Sequence, residues 1–432
     1  MLDVAILDGV RTPFCKAFTA LSRVPAQELG RVAAVGVLKR TGLPADKIDQ
    51  VVFGNVAVPA DAANIARVIA LLAGIPRDRI ANTVSRNCAS GMEALSTAAQ
   101  LIQLQEAKLV LAGGVESMSQ IPLLYNREAT ELYLRLARAR KWWQRLGTLL
   151  RFRPRHFKPV PAVQLGLTDP VCGMIMGLTA EVLAEEFHLS RQEQDAFALE
   201  SHRRAVAAIK AGRLREEIVP VELGDGKTVT EDLGPRDGQS LEALAKLQPY
   251  FKKNGTVTVG NSCGLTDGAV AMILAPGDWV RAQGYQPLGY LRGWAYAGVD
   301  PERMGLGPVH ATAKLLSRMG LSLKDIDLIE LNEAFAAVVL ANQRAFASAE
   351  YAREKLGRSE PLGELPLDRL NVNGGAIALG HPVGATGARL VLTLLKELHR
   401  RGWKRGLATL CVGGGQGGAM LVETAANDPK GE

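Results

Sequence analysis

The sequence predicts an α/β protein made of two similar halves with a loop domain inserted between them. Three observations carry that expectation. Short apolar runs closed by glycine, such as Val51-Val52-Phe53-Gly54 and Leu109-Val110-Leu111-Ala112-Gly113-Gly114, alternate with Ala-rich stretches of helical composition such as residues 90–105. Gly42-Leu43, followed by Ile48-Asp49, returns as Gly320-Leu321, followed by Ile326-Asp327, each time ahead of a strand-like run. Cys88-Ala-Ser-Gly opens a helical stretch leading to Gly113-Gly114, and His381-Pro-Val-Gly opens one leading to Cys411-Val-Gly-Gly-Gly. Each half thus presents a glycine-rich turn at the same place.

Along the chain, Met1 to Leu7 runs straight into an apolar strand, without the charged start and long apolar stretch of a secretory leader. Residues 1–121, completed by 266–287, read as the first half. Residues 122–265 break the pattern with Pro, Arg and amphipathic helices and read as the loop domain, and residues 288–432 read as the second half. A length of 432 residues suits two or three folded units at roughly 150 residues each. With 47% hydrophobic and 22% charged residues the chain can bury a large core, which excludes a disordered or collagen-like protein.

The formal charge of +7 first suggests a polyanionic partner such as nucleic acid. Its distribution says otherwise. Residues 127–158 hold ten Lys or Arg and two Glu, leaving 51 − 10 = 41 basic against 44 − 2 = 42 acidic groups elsewhere. The basicity is one segment, and no base-stacking or groove-reading motif accompanies it, so no nucleic-acid partner is expected. The five cysteines, Cys15, Cys88, Cys172, Cys263 and Cys411, are scattered without a Cys-x-x-Cys pair, as for free thiols in a reducing compartment. No stretch reaches the roughly 18 apolar residues of a spanning helix. A cytoplasmic protein is expected, peripheral at a membrane if the basic segment docks there.

Four constellations could carry chemistry. Cys88 follows Asn87, a candidate N-cap, so its thiol is expected at a helix N-terminus, where unpaired N–H groups favour thiolate. His381 lies between glycine and Pro-Val-Gly at the mouth of a second helix, a setting that leaves the imidazole reachable. Cys411 ends a strand-like run that passes into glycines. Asn332-Glu333-Ala-Phe follows the apolar run 328–331, where ligands bind at strand ends of open α/β sheets. Two other motifs are formal matches only. Gly413-x-Gly415-x-x-Gly418 resembles a dinucleotide fingerprint but leads into a strand-like run. Gly260-x-Ser262-x-Gly264 matches a nucleophile elbow, which keeps a serine hydrolase as the rival reaction class, although its sequel also reads as turn and strand.

Taken together, Asn87-Cys-Ala-Ser-Gly-Met92, Gly113-Gly-Val-Glu-Ser-Met-Ser119, Asn332-Glu-Ala-Phe-Ala336, Asn373-Gly-Gly through His381 to Arg389, and Cys411-Val-Gly-Gly-Gly-Gln-Gly-Gly-Ala-Met420 resemble the thiolases in order and spacing. The resemblance implies two βαβαβαββ halves packed as five αβαβα layers, a loop domain, and a homodimer or homotetramer. It implies no permanently bound cofactor, with coenzyme A and acyl-CoA as substrates. It implies Cys88 as the nucleophile that becomes acylated, His381 as its base, and Cys411 as the acid/base that protonates the leaving carbon. The N–H groups of Cys88 and Gly413 would receive one oxyanion, and His381 with a water fixed by Asn332 the other. Met176, Met304 and Phe335 would line the thioester site. Cys263 stands where many relatives carry a serine that bonds the pantetheine; a thiol is a weaker donor. Ser262 would face away from that site in a strand. The presence of all four reactive residues argues against a non-catalytic lipid-carrier relative.

Within residues 128–150, Leu132, Leu136, Ala139, Trp143, Leu146 and Leu150 follow steps of four and three and predict one face of a single helix, with arginines away from it. Trp and Leu on one side and Arg on the other suit a membrane interface, or packing on the protein itself. The insertion resembles that of trifunctional-complex β-subunits, implying a hydratase/dehydrogenase partner; those commonly carry His where this chain has Asn332. The expected activity is a degradative 3-ketoacyl-CoA thiolase (acetyl-CoA C-acyltransferase) of β-oxidation, with acetoacetyl-CoA thiolase as the alternative.

Overall fold

The computed structural model describes residues 3–425, so the outermost ends expected of the two halves, residues 1–2 and 426–432, lie outside the described residues. The strands of the main sheet are β1 (Val4–Arg11), β2 (Gln50–Gly54), β3 (Ile80–Val84), β4 (Val110–Ser117), β5 (Thr266–Pro276), β6 (Gly289–Gly298), β7 (Leu328–Leu331), β8 (Arg405–Val412) and β9 (Gln416–Glu423). The principal helices are α1 (Ala26–Thr41), α2 (Ile65–Leu72), α3 (Ser90–Gln103), α4 (Arg127–Arg138), α5 (Trp142–Leu149), α6 (Met176–Glu186), α7 (Arg191–Lys210), α8 (Gly307–Met319), α9 (Ala336–Ala347) and α10 (Val383–Arg401).

The sheet order is β7-β8-β9-β6-β1-β5-β4-β2-β3, with Cys15–Lys16 pairing β5 off this path. It divides into two halves of matching topology. In the first, β1, β5 and β4 are antiparallel neighbours and β4, β2 and β3 are parallel. In the second, β6, β9 and β8 are antiparallel, β8 and β7 are parallel, and Ile329 of β7 makes a parallel bridge to Leu370 where a fifth strand would lie. Antiparallel pairing of Val4–Ile6 with Leu291–Gly289 joins the halves.

The repeated Gly-Leu…Ile-Asp motif has a structural cause. Gly42 and Gly320 terminate α1 and α8 in left-handed conformation, φ 67° and 63°, which glycine adopts at no steric cost. Asp49 and Asp327 then accept paired backbone N–H groups, from Lys108 and Leu109 in one half and from Lys404 and Arg405 in the other. The same carboxylate clamp therefore fixes the register of β2 against β4 and of β7 against β8.

Strand alternation sorts the core into layers. Ala5, Leu7, Val51 and Phe53 face an apolar layer with α1 and α2, whereas Val4, Ile6 and Val52 face one shared with α3, α10 and the second half. Ile329 and Leu331 pack outward against α8 and α9. The resulting order is helices, sheet, the α3–α10 pair, sheet, helices. The central helices pass at backbone contact: a Cβ on Gly91 would lie 2.7 Å from the Ala388 nitrogen, and one on Gly387 2.5 Å from that of Met92. Only glycine permits this approach, and it sets the starts of the two helices side by side.

The basic segment departs from the expected single helix. It forms a hairpin, α4 and α5, because the chain turns at Ala139 and an aromatic cluster of Tyr125, Tyr133, Phe152 and Phe157 folds the following loop back onto α4. His156 Nε2 lies 3.1 Å from Glu128 and closes the hairpin. Among the described residues no helix is long and apolar enough to cross a membrane.

Candidate active site

Cys88 stands between β3 and α3, two residues ahead of the helix rather than on its cap. Asn87 takes a left-handed backbone, φ 43°, and instead of capping α3 its Nδ2 donates to the carbonyl of Gly413 at 2.7 Å. That bond ties the nucleophile loop of one half to the glycine turn of the other. In that turn Gly414 and Gly415 have φ of 89° and 80°, and a Cβ on Gly415 would meet the Val299 carbonyl at 2.3 Å. Burial pushes the Cys88 thiol up, opposed by N–H groups of Gly413 and Cys88 itself directed at the sulfur, with Glu116 adding to the rise. Burial thus works against the helix-stabilised thiolate expected from the sequence and outweighs the N–H groups that favour it.

His381 lies ahead of α10, anchored by its N–H to the Thr266 hydroxyl (3.0 Å) and the Gly264 carbonyl (3.2 Å). Its Nδ1 is 2.5 Å from Thr386 Oγ1, and that hydroxyl is 3.0 Å from the Pro382 carbonyl. The single hydroxyl proton goes to the carbonyl, so Nδ1–H donates to threonine and the neutral ring carries its free lone pair on Nε2. Nε2 is buried without a protein partner. Burial, with Arg389 nearby, pushes the imidazole down to about 3, so it rests neutral.

Asn332 follows β7. Its N–H donates to the Thr409 carbonyl, but both ends of its fully buried amide lack any protein partner. Such a group costs about 1–3 kcal/mol unless something else bonds it. Cys411 is buried near the end of β8, and burial, then the neighbouring Cys88 and Cys263 thiols, push it well above its ordinary value. Cys263 is pushed up to about 12 by burial and by Cys88. Three thiols therefore share one neighbourhood, while Cys15 and Cys172 take no part in it.

A cavity of about 630 Å³ opens beside this group. Met176, Cys263, Phe335 and Gly380 are in its wall, together with Ile175, Leu167 and Phe251. Cys88, His381, Asn332 and Cys411 do not themselves line it. Gly380 precedes His381, however, and a Cβ on Gly413 would stand 3.2 Å from the Met176 sulfur, so the cavity leads to the reactive residues. Met304 is buried in the same apolar cluster as Phe335 and Cys411, against which Met176 packs, and is not itself in the cavity wall. Ser262 donates to the Thr258 carbonyl at 2.6 Å and leads into β5, not into a helix, which rules out a nucleophile elbow. Gly418 likewise lies inside strand β9, which rules out the dinucleotide motif.

Sequence reasoning missed three supporting residues. Thr386 orients His381; a threonine one turn into a helix behind a histidine is the signal that could have found it. Glu116 accepts N–H groups from Val56, Ala57 and Gly384 and the Asn55 amide, locking the α10 start onto the first half, and burial pushes it up to about 7. Glu333 receives the Ser201 hydroxyl (2.6 Å) and the Asn371 amide (2.8 Å), fixing the loop after Asn332.

Comparison with known proteins decides the family. The thiolase N-terminal domain model matches residues 4–278 and the C-terminal domain model residues 285–424. The chain belongs to the thiolase family. This thiolase is 42% identical over 424 residues to the 3-ketoacyl-CoA thiolase of Yersinia enterocolitica, covering 97% of this chain and 96% of that protein. It is 40% identical to that of Pseudoalteromonas translucida, covering 98% and 97%. Among solved structures, the Bacillus anthracis acetyl-CoA acetyltransferase superposes with a TM-score of 0.86 at 38% identity, covering 98% of this chain and 99% of that one. Human mitochondrial 3-ketoacyl-CoA thiolase in complex with CoA gives 0.85 at 37% identity, covering 98% of each chain.

Proposed function

We propose that this thiolase is an acyltransferase that cleaves 3-ketoacyl-CoA with CoA, giving acetyl-CoA and an acyl-CoA shortened by the acetyl unit, as a step of β-oxidation. The observation that carries the reading is that α3 and α10 begin side by side, the first behind a thiol whose sulfur faces two backbone N–H groups and the second behind a buried neutral imidazole left bare at Nε2.

Cys88 gives its proton to His381 Nε2 and attacks the 3-keto carbon. The oxyanion that forms takes the N–H groups of Cys88 and Gly413. The C2–C3 bond breaks, leaving an acyl group on Cys88 and the enolate of acetyl-CoA. The enolate oxygen is held by the new Nε2–H of His381 and on the Asn332 side, whose orphaned amide is free to bond there directly or through water. Cys411 donates its proton to C2, and acetyl-CoA leaves. Incoming CoA gives its thiol proton to the Cys411 thiolate and attacks the acyl group; the Nε2 proton returns to Cys88 as the product departs. Atoms and protons balance without metal or redox cofactor.

The test is CoA-dependent cleavage of 3-ketoacyl-CoAs from short to long chains, with trapping of the acyl group on Cys88. Cleavage across several lengths, abolished by Cys88→Ala, supports the reading. The likeness to an acetyl-CoA acetyltransferase supports the second reading, acetoacetyl-CoA thiolase, which a profile confined to the shortest substrate would favour.

We also infer a homodimer. β3 is the outer strand of the first half, its far edge unpaired among the described residues and Ile80 62% exposed. An open edge of this kind is a template for a second copy.

A further inference from the structure

Glu116, one residue from the end of β4, is a fully buried carboxylate with no counter-ion among the described residues. All four of its hydrogen-bond partners there are donors. Oε1 receives the Asn55 amide (2.9 Å) and the Ala57 N–H (3.0 Å), and Oε2 receives the N–H groups of Val56 (3.2 Å) and Gly384 (2.9 Å). A carboxyl proton would have to face one of these donors, so the arrangement suits the anion. Yet an anion buried without a cation is unfavourable, and burial pushes this group up to about 7. Its charge also works against the nucleophile, because it raises the Cys88 thiol. What the carboxylate holds together explains its presence.

Helix α10 has no cap of its own. Pro382 precedes it without a side-chain acceptor, and no acidic residue stands in its first turn. The Gly384 N–H is one of the unpaired donors at its start, and Glu116 accepts it from a neighbouring strand, where a negative charge also meets the positive end of a 19-residue helix. Gly384 lies three residues after His381. Its backbone is pressed against β4 and the loop after β2: a Cβ there would stand 2.7 Å from the Val115 carbonyl oxygen and 2.9 Å from the Asn55 Cα. The opposite side of the carboxylate leads to the thiol. Asn55 donates its own N–H to the carbonyl of Val84 at 3.2 Å, at the end of β3 and four residues ahead of Cys88. One side chain thus reaches from the helix of the imidazole to the strand of the nucleophile.

We propose that Glu116 is a positioning residue for proton transfer from Cys88 to His381, holding the two helix starts at their working separation by capping α10 from β4. The inference rests on the roles proposed above for Cys88 and His381. Two substitutions divide the cap from the charge. Glutamine has the same shape, but its NH2 must face two donors whichever way the amide is turned. Aspartate keeps the charge and falls short by about 1.5 Å, one C–C bond.

Glu116→Gln and Glu116→Asp are compared with the parent at pH 8, above the value of about 7 at which the carboxylate takes its proton. Each is expected to lower kcat for 3-ketoacyl-CoA cleavage by at least about tenfold, as for a small misplacement of reacting groups, with KM within about threefold of the parent's. Iodoacetamide labelling of Cys88, read by peptide mass spectrometry, should be about threefold faster in Glu116→Gln, which removes the like charge, and close to the parent's rate in Glu116→Asp. A general loosening around the thiol would speed both variants alike. Equal unfolding midpoints verify that the variants fold; if Glu116→Gln does not, Glu116→Asp decides alone by its loss of kcat at unchanged labelling. Full turnover in either folded variant, a KM that rises as kcat falls, or faster labelling in both variants overturns the proposal. A parent inactive on every 3-ketoacyl-CoA overturns the catalytic reading and this proposal with it, whereas an active parent with unimpaired variants overturns this proposal alone.

Discussion

The Thr386 hydroxyl sits 2.5 Å from Nδ1 of His381 while bonded to the Pro382 carbonyl, and this one side chain selects which imidazole nitrogen is bare. A methyl in place of the hydroxyl removes the acceptor for Nδ1–H and frees the ring to adopt the other tautomer. Thr386→Val is therefore expected to lower kcat by about tenfold, the equivalent of about 1.4 kcal/mol for one lost hydrogen bond. Thr386→Ser should retain most activity. Steady-state rates of the two variants with one 3-ketoacyl-CoA check this.

Resting Cys88 and His381 are both neutral, which has a signature in alkylation. Burial raises the thiol and lowers the imidazole to about 3, so no thiolate–imidazolium pair forms near neutrality. Inactivation by iodoacetamide should climb steadily from about pH 7 to about pH 9, because only the rare thiolate reacts. An ion pair would instead give a rate that is flat over this range. His381 also affects stability. The unfolded ring takes a proton below about 6.5 and the folded ring only near 3, so its contribution is complete above about 6.5 and is lost as pH falls through that window. His381→Gln should flatten that part of the stability profile, measured against the parent by urea unfolding.

Asn332 illustrates stability given up for function. Its amide is buried with both ends unpartnered. Replacement by alanine removes that unsatisfied group, and the unfolding midpoint is expected to stay level or rise. The rate should drop about 10²-fold, as when an oxyanion donor is lost. A variant that loses stability and rate together would show Asn332 to be structural.

Much of this was legible in the sequence because the fold is written twice. Gly42 and Gly320, with Asp49 and Asp327, mark the same helix stop and strand clamp in each half, and such local chemistry repeats visibly. Cys88, His381 and Cys411 were legible because each follows or precedes a regular element at a glycine-rich turn, and Asn332 because it directly follows the apolar run of β7. What stayed hidden depends on contacts between distant segments. Nothing near Asn87 in sequence announces the Gly413 carbonyl, and a strong N-cap propensity gave way to that bond. The helical periodicity through residues 128–150 was real, but a local pattern cannot report Tyr133 and Phe152 meeting across a turn at Ala139.

Arg11 offers a test of how the loop domain is held. Its guanidinium on β1 is fully buried, bonded to Asp232 at 2.6 and 2.7 Å and to Glu217 at 2.8 Å. Asp232 also accepts the N–H of Phe14, and Glu217 the hydroxyl of Thr393 on α10. Three separate segments thus meet on one cation. Arg11→Met leaves two buried carboxylates without their counter-charge, and a loss of about 3–5 kcal/mol is expected. Asp232 lies two residues from Gly234 in the cavity wall, so the same variant should raise KM more than it lowers kcat. Urea unfolding and a KM-against-kcat comparison check both. A restored KM in Arg11→Lys, which keeps the charge but not the bidentate fork, would assign the effect to charge alone, whereas the two bonds to Asp232 predict that lysine recovers only part of it.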